Sequence, residues 1–166
     1  MTRRPHRLPR WLRRCLVGSG TLLLATGALW LALHYTVGAG AGELPHPLEA
    51  WSMRLHGAAS FVALFTLGAL AAAHVPQGWH TTQRQREPTQ RRLGIALCTL
   101  GAALAASGYA LYYFAPEWLR PGLGIAHASL GGAAALVAAW HARRRGLIWR
   151  RKPAFEEREA VMVDSK

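Results

Sequence analysis

Apolar residues form four long runs along the chain. The runs cover residues 16–37, 53–75, 93–114 and 123–142, and Arg54 is their one formally charged residue. Each run has about 20 residues, which as a helix crosses a hydrocarbon layer of about 30 Å. None shows the polar face that is typical of helices in water-soluble domains. The pattern predicts an all-α integral membrane protein, a bundle of four spanning helices.

Basic residues lie almost entirely outside these runs and on alternate connections. The 166 residues carry a formal net charge of +12, and eighteen of the 20 Lys and Arg residues lie in the two terminal segments and in the loop 76–92. We therefore expect a basic arm (1–15), a membrane domain (16–142) and a charged tail (143–166). By the positive-inside rule both termini are cytoplasmic. Because each basic segment adjoins a span, binding to anionic lipid is favoured over binding to nucleic acid.

The first apolar run is longer than the run of about 7–15 apolar residues in a signal peptide, so it predicts an uncleaved helix. Cys15 lies just before the first run and Cys98 within the third, and no CxxCH motif occurs. Neither a covalently attached c-type haem nor a disulfide framework is therefore implied.

Four of the eight histidines fall within two of the runs. His56 and His74 belong to the second run, and His127 and His141 to the fourth. An ionisable residue inside a span is costly and usually faces the bundle interior, where it serves a function. Neutral imidazole is also a common metal ligand. We therefore treat these four residues as candidate ligands.

Helix geometry places each pair on one face of its helix. The 18 residues between His56 and His74 make about five turns, and the 14 between His127 and His141 make nearly four. Since the second and fourth spans run in the same direction, His56 and His127 form an outer layer and His74 and His141 an inner layer. Two facing histidines are the arrangement of bis-imidazole haem ligation, so the sequence predicts two haems.

Small residues accompany these histidines. Gly94, Gly101 and Gly108 follow one another at intervals of seven in the third run, and Gly20 and Gly27 lie in the first. A flat porphyrin needs small residues where its edges pass between helices. Close packing of membrane helices explains the glycines equally well, but it does not explain four matched histidines.

Four segments carry a resemblance to a known family. They are "RLHGAASF" around His56, "LAAAHV" at His74, "SGYALYYFAPEWLR" at the end of the third run, and "LGIAHASLGG" with "AAWHARRR" at His127 and His141. The chain resembles the bacterial four-helix di-haem cytochromes b, a group that includes the membrane cytochrome subunits of hydrogenases.

The resemblance implies non-covalent haem b, axial ligands on the second and fourth helices, and electron transfer at the bacterial inner membrane. The spacing of His127 and His141 matches that of the family, whereas His56 and His74 are about one helical turn further apart than the two ligands on the family's second helix. Members of the wider group also take a ligand from the first helix, which makes His34 a further candidate for the outer layer.

Residues around the predicted ligands have supporting roles in this interpretation. The second ring nitrogen of each ligand should donate a hydrogen bond to a carbonyl or hydroxyl oxygen. Ser60 and Ser129 are the nearby hydroxyls along the chain. Arg54 and Arg120 are placed to meet haem propionates at the outer rim, or to anchor the helix ends there.

The predicted function is electron transfer between a quinol or partner subunit and an acceptor, as a carrier or as the cytochrome subunit of an oxidoreductase. The alternatives are a cytochrome with a single haem, a transporter of metal ions, and an assembly factor. Transporters usually place acidic or cysteine ligands inside their spans, and the apolar runs contain no Asp or Glu.

Overall fold

The computed structural model describes residues 9–84 and 88–151, which fold entirely as helices and connections. The four long helices are α1 (Arg10–Val37), α2 (Pro47–Arg84), α3 (Pro88–Tyr113) and α4 (Arg120–Arg151). A single 3₁₀ turn, Ala39–Ala41, lies between α1 and α2. All four helices are long and apolar enough to cross a membrane. The prediction of an all-α bundle with four membrane-spanning helices is confirmed at this level.

The helices are longer than the apolar runs, mainly at the ends that carry arginine. α2 continues past Pro76, which cannot donate the helical hydrogen bond to the carbonyl of Ala72. α3 begins at Pro88, five residues before the predicted span, because proline suits the first position of a helix. Residues 1–8 of the predicted arm and 152–166 of the predicted tail lie outside the described residues.

The helices pair as two hairpins. α1 packs along α2 to form the first hairpin, and α3 packs along α4 to form the second. The hairpins meet through less extensive contacts between α2 and α3 and between α1 and α4. We call the end that holds the connections 38–46 and 114–119 the loop end, and the opposite end the arginine-rich end.

The connection of the first hairpin turns sharply at the loop end. Gly38 leaves α1 in an extended conformation, and Gly42 closes the 3₁₀ turn with a φ of +86°. That left-handed conformation is costly for any residue with a Cβ atom, so glycine suits the position.

Side chains are distributed differently from those of a water-soluble bundle. Among the described residues the buried apolar ones are few and mostly small: Leu12, Ala59 and Ala115. The buried polar residues are Ser19, Thr26, Glu49, Ser52, Thr66 and Gln90. Large apolar side chains such as Phe61 and Leu136 point outward and are about three-quarters exposed, as expected of a surface that faces lipid. The buried side chains of the bundle are therefore mostly polar or small, and the large apolar side chains form its outer surface.

Candidate functional site

His56 is held by a hydroxyl group from the neighbouring helix. Its Nδ1 lies 3.0 Å from Oγ1 of Thr26, a buried residue of α1. The Thr26 hydroxyl is 2.7 Å from the carbonyl oxygen of Leu22, to which it donates its one proton. With that donation, its oxygen can accept the Nδ1 proton of His56. The Nε2 atom of His56 would then carry the lone pair that a metal needs.

His127 has the same environment in the second hairpin. Its Nδ1 lies 2.7 Å from Oγ of Ser107 on α3, and the Ser107 hydroxyl is 3.2 Å from the carbonyl oxygen of Leu104. Donation to that carbonyl lets the Ser107 oxygen accept the Nδ1 proton. The Nε2 atom of His127 is then available to a ligand, as in His56.

A glycine follows each of these hydroxyl residues and lies against the same imidazole. A Cβ atom placed on Gly27 would lie 3.4 Å from Cε1 of His56, and one placed on Gly108 would lie 3.4 Å from Cε1 of His127. The two hairpins thus repeat one unit, a hydroxyl residue and a glycine on the first helix and a histidine on the second. Of the other glycines in the predicted stripes, Gly20 and Gly94 meet no other side chain at this distance.

The two imidazoles meet in the bundle interior. The ring centres of His56 and His127 are 6.3 Å apart and the ring planes are inclined by 65°. Two imidazoles that bind one metal from opposite sides have ring centres about 6 Å apart, since each metal–nitrogen bond is about 2 Å and each ring centre lies about 1 Å behind its nitrogen. The distance between the two ring centres therefore leaves room for one metal between the imidazoles.

The predicted partners Ser60 and Ser129 do not serve these histidines. Ser60 donates to the carbonyl oxygen of Gly57, and Ser129 to that of Ile125, each within its own helix. Thr26 and Ser107 take the expected role instead. The sequence carried one signal for them, a hydroxyl residue followed by glycine in both α1 and α3, at 26–27 and 107–108.

His74 and His141 are half-buried on α2 and α4, toward the arginine-rich end. Gln90 of α3 contacts His141, with its amide nitrogen 3.2 Å from Nδ1 and 3.4 Å from Nε2. Gln90 is buried, and its Oε1 has no hydrogen-bond partner among the residues that the structure describes. Turning the amide by half a rotation would let Oε1 accept the Nδ1 proton of His141. A polar residue of α3 thus lies against each of the two candidate ligands on α4.

His34 belongs to a different group at the loop end. Its Nδ1 lies 2.9 Å from Oε2 of Glu49, and its ring stacks on Trp30 with centres 4.4 Å apart. The backbone N–H of His46 donates to Oε1 of Glu49 at 3.0 Å. Because His34 is eight residues beyond Thr26, it lies about 12 Å along α1 from the layer of His56. The structure places His34 in the contact between α1 and the start of α2.

The two loop-end arginines make contacts near their own positions in the chain. The guanidinium of Arg54 lies 5.0 Å from the ring centre of Trp51, and Arg120 donates to the carbonyl oxygen of Ala115 at 3.2 Å. The Arg54 contact lies within α2, and the Arg120 contact joins the start of α4 to the connection before it. The predicted propionate contacts of both residues remain a prediction.

The described residues contain no group of three or more His, Cys, Asp and Glu side chains close enough to hold a bare metal ion. The donor set at the site is the imidazole pair of His56 and His127. Comparisons of the chain with protein-family models, with curated proteins and with solved structures give no match.

Proposed function

We propose that this chain is a membrane-embedded b-type di-haem cytochrome that transfers electrons between a quinol or partner subunit and an acceptor. The observation that carries the proposal is the pair His56 and His127, with ring centres 6.3 Å apart and each Nδ1 beside a hydroxyl oxygen. An iron porphyrin supplies four nitrogen ligands of its own, so two protein ligands complete its coordination. Haem b, when bound, supplies a one-electron iron couple.

The protein's part is to present two neutral imidazoles in fixed orientations from two different hairpins. The Thr26 and Ser107 oxygens would accept the Nδ1 protons, so that each Nε2 would be available to hold the iron. Gly27 and Gly108 leave the space that the imidazoles occupy. The outward-facing apolar surface keeps the pair within the membrane and away from water.

A second haem between His74 and His141 is part of the proposal. The spacing between the two layers differs from helix to helix, with 18 residues from His56 to His74 on α2 and 14 from His127 to His141 on α4. The second hairpin contains a comparable difference. Ser107 and Gln90 are 17 residues apart on α3, yet they contact His127 and His141, which are 14 apart. Two contacting helices of this bundle thus match layers whose spacings differ by three residues, and the proposed second haem requires a difference of four between α2 and α4.

The membrane orientation is proposed from the arginines. Eighteen of the 20 Lys and Arg residues lie at the arginine-rich end or in the segments that adjoin it, which favours that end, with both termini, on the cytoplasmic side of a bacterial inner membrane. Each basic residue near an anionic lipid surface contributes about 1 kcal/mol to binding, so lipid alone is a sufficient partner for this charge. An acidic redox protein could bind to the same basic surface.

The test is the visible spectrum of the protein purified in mild detergent. We expect a reduced-minus-oxidised spectrum with a b-type α band, and non-covalent haem that acid acetone extracts. The variant His127→Ala should lose a component of that band, whereas His80→Ala, an exposed residue outside both pairs, should keep the spectrum unchanged. A colourless protein that binds Zn²⁺ or Cu²⁺ through His56 and His127 would contradict the proposal and favour metal-ion transport.

A further inference from the structure

The hydroxyl groups that face His56 and His127 repeat between the hairpins. Thr26 and Ser107 are both buried or half-buried, both lie on the first helix of their hairpin, and both contact Nδ1 of a histidine on the second helix. Each hydroxyl is also within 3.2 Å of a carbonyl oxygen of the preceding turn. Two independent hairpins thus supply the same chain of atoms, from carbonyl to hydroxyl to imidazole.

Other hydroxyls of the described helices, including Ser60, Thr66 and Ser129, donate to carbonyl oxygens of their own helices. A hydroxyl whose proton is already donated presents only its oxygen to the imidazole, so it can accept but not donate. With the hydroxyl proton donated to the carbonyl oxygen, the imidazole carries its proton on Nδ1.

We infer that Thr26 and Ser107 are positioning residues that fix the ligand tautomer of His56 and His127 and lower the reduction potential of the metal centre between them. This inference rests on the proposed function and goes beyond it. Acceptance of the Nδ1 proton moves electron density toward Nε2 and makes the imidazole a stronger donor. A stronger donor stabilises the oxidised, more positively charged metal relative to the reduced one.

The two hydroxyls should contribute unequally. The Ser107 oxygen is 2.7 Å from Nδ1 of His127, whereas the Thr26 oxygen is 3.0 Å from Nδ1 of His56. Hydrogen bonds strengthen as the heavy atoms approach. Loss of the Ser107 hydroxyl should therefore raise the potential more than loss of the Thr26 hydroxyl.

The test uses the full chain in detergent with the variants Thr26→Val and Ser107→Ala. In redox titrations of the haem-loaded protein, we expect one component to shift to a more positive potential in each variant, with the larger shift for Ser107→Ala. Haem binding should weaken about 10-fold or more, as is usual when a group that orients a metal ligand is removed. Thr26→Ser and Ser107→Thr keep the hydroxyl and should restore the wild-type potential.

Ser60→Ala and Ser129→Ala are the matched controls, because each removes a hydroxyl within four residues of a ligand that bonds only to its own helix. Both should keep the wild-type potential. Nitrogen-15 spectra of the haem-free protein provide a second readout. In the wild-type protein they should show His56 and His127 protonated at Nδ1. In each variant, only the histidine that faces the changed residue should lose its preference for the Nδ1-protonated tautomer.

Three outcomes separate the inference from the proposed function. Haem-loaded Thr26→Val and Ser107→Ala with wild-type potentials would overturn the inference and leave the cytochrome intact. Nitrogen-15 spectra of the wild-type, haem-free protein that show both imidazoles protonated at Nε2 would overturn the inference as well. A wild-type chain that takes up no haem would overturn the proposed function and the effect on potential, while the imidazole spectra would still decide the tautomer.

Discussion

The imidazole rings of His56 and His127 have their centres 6.3 Å apart, although 71 residues separate them in the chain. One ring comes from each hairpin, and the hairpins have less contact with each other than their own helices have. The pair is therefore a point at which polar side chains of the two hairpins lie close to each other.

The first prediction is that His56→Ala and His127→Ala remove the same spectral component. In the proposed site, each haem takes one ligand from each hairpin. Loss of either imidazole should therefore have the same effect on the spectrum as loss of both imidazoles. Reduced-minus-oxidised spectra of the two variants should be superimposable after scaling to protein, and the double variant should match them. If the two variants lost different components, the histidines would belong to different centres.

The second prediction is two haems per chain, measured as the ratio of pyridine haemochrome to protein. His74→Ala and His141→Ala should each lower the ratio from two to one and leave the component that depends on His56. Gln90→Leu should shift only the component that depends on His141, because the Gln90 amide lies against that imidazole. A ratio of one in wild-type protein supplied with excess haem would restrict the chain to the His56–His127 centre.

The third prediction concerns the space beside the imidazoles. A Cβ atom at Gly27 or Gly108 would already lie 3.4 Å from the ring, so Gly27→Ala should be tolerated with little loss of haem. Gly27→Leu and Gly108→Leu should displace the ring and remove most of the haem. Gly20→Leu and Gly94→Leu are the controls on the same helices, since nothing lies near their Cβ positions. Equal haem loss in control and test variants would mean that leucine disturbs the bundle as a whole.

The fourth prediction concerns stability at the loop end. Glu49 is buried and accepts hydrogen bonds from the His34 ring and the His46 backbone N–H, so it joins the end of α1 to the start of α2. Glu49→Ala should lower the midpoint of thermal unfolding in detergent by several degrees, and Glu49→Gln by less, because it keeps one acceptor oxygen. Glu43→Ala, at an exposed position of the same connection, should have little effect. Equal midpoints for all three variants would show that the Glu49 contacts do not stabilise the hairpin.

The fifth prediction is that the reconstituted chain conducts electrons across a bilayer. Liposomes with ferricyanide trapped inside and a quinol added outside should show reduction of the trapped oxidant. His74→Ala should slow this reduction while the remaining haem is still reduced by the quinol. Wild-type liposomes in which haem is reduced but the trapped oxidant is not would contradict a conduit that crosses the membrane.

The fold was predictable because it depends on properties of single segments. Length and uniform apolarity are sufficient to identify four spans, and all four proved to be helices of that kind. The helix ends were less predictable. Pro88 begins α3 and brings Gln90 into the helix, although the apolar run begins only at residue 93. That shift placed Gln90 outside the predicted bundle.

The candidate site was predictable only in part. Periodicity along one helix placed His56 and His127 on the inner faces, and the shared direction of α2 and α4 placed them at one depth. Periodicity gave no information on how α1 and α3 are rotated about their own axes relative to α2 and α4. That rotation brings Thr26 and Ser107 to the imidazoles. Ser60 and Ser129 were nearer along the chain, but they lie on the same helices as the histidines, and the contacts of their hydroxyls are with carbonyl oxygens of those helices.

The repeated unit has a consequence for the order in which the protein matures. Thr26 and His56 lie in one hairpin, and Ser107 and His127 in the other, so each hairpin can orient its own imidazole as soon as its two helices have inserted. The proposed haem site would then be completed when the two preformed hairpins associate, without requiring four separate helices to assemble at once. Biogenesis should therefore tolerate a break in the α2–α3 connection, with the halves made as separate polypeptides that assemble in the bilayer.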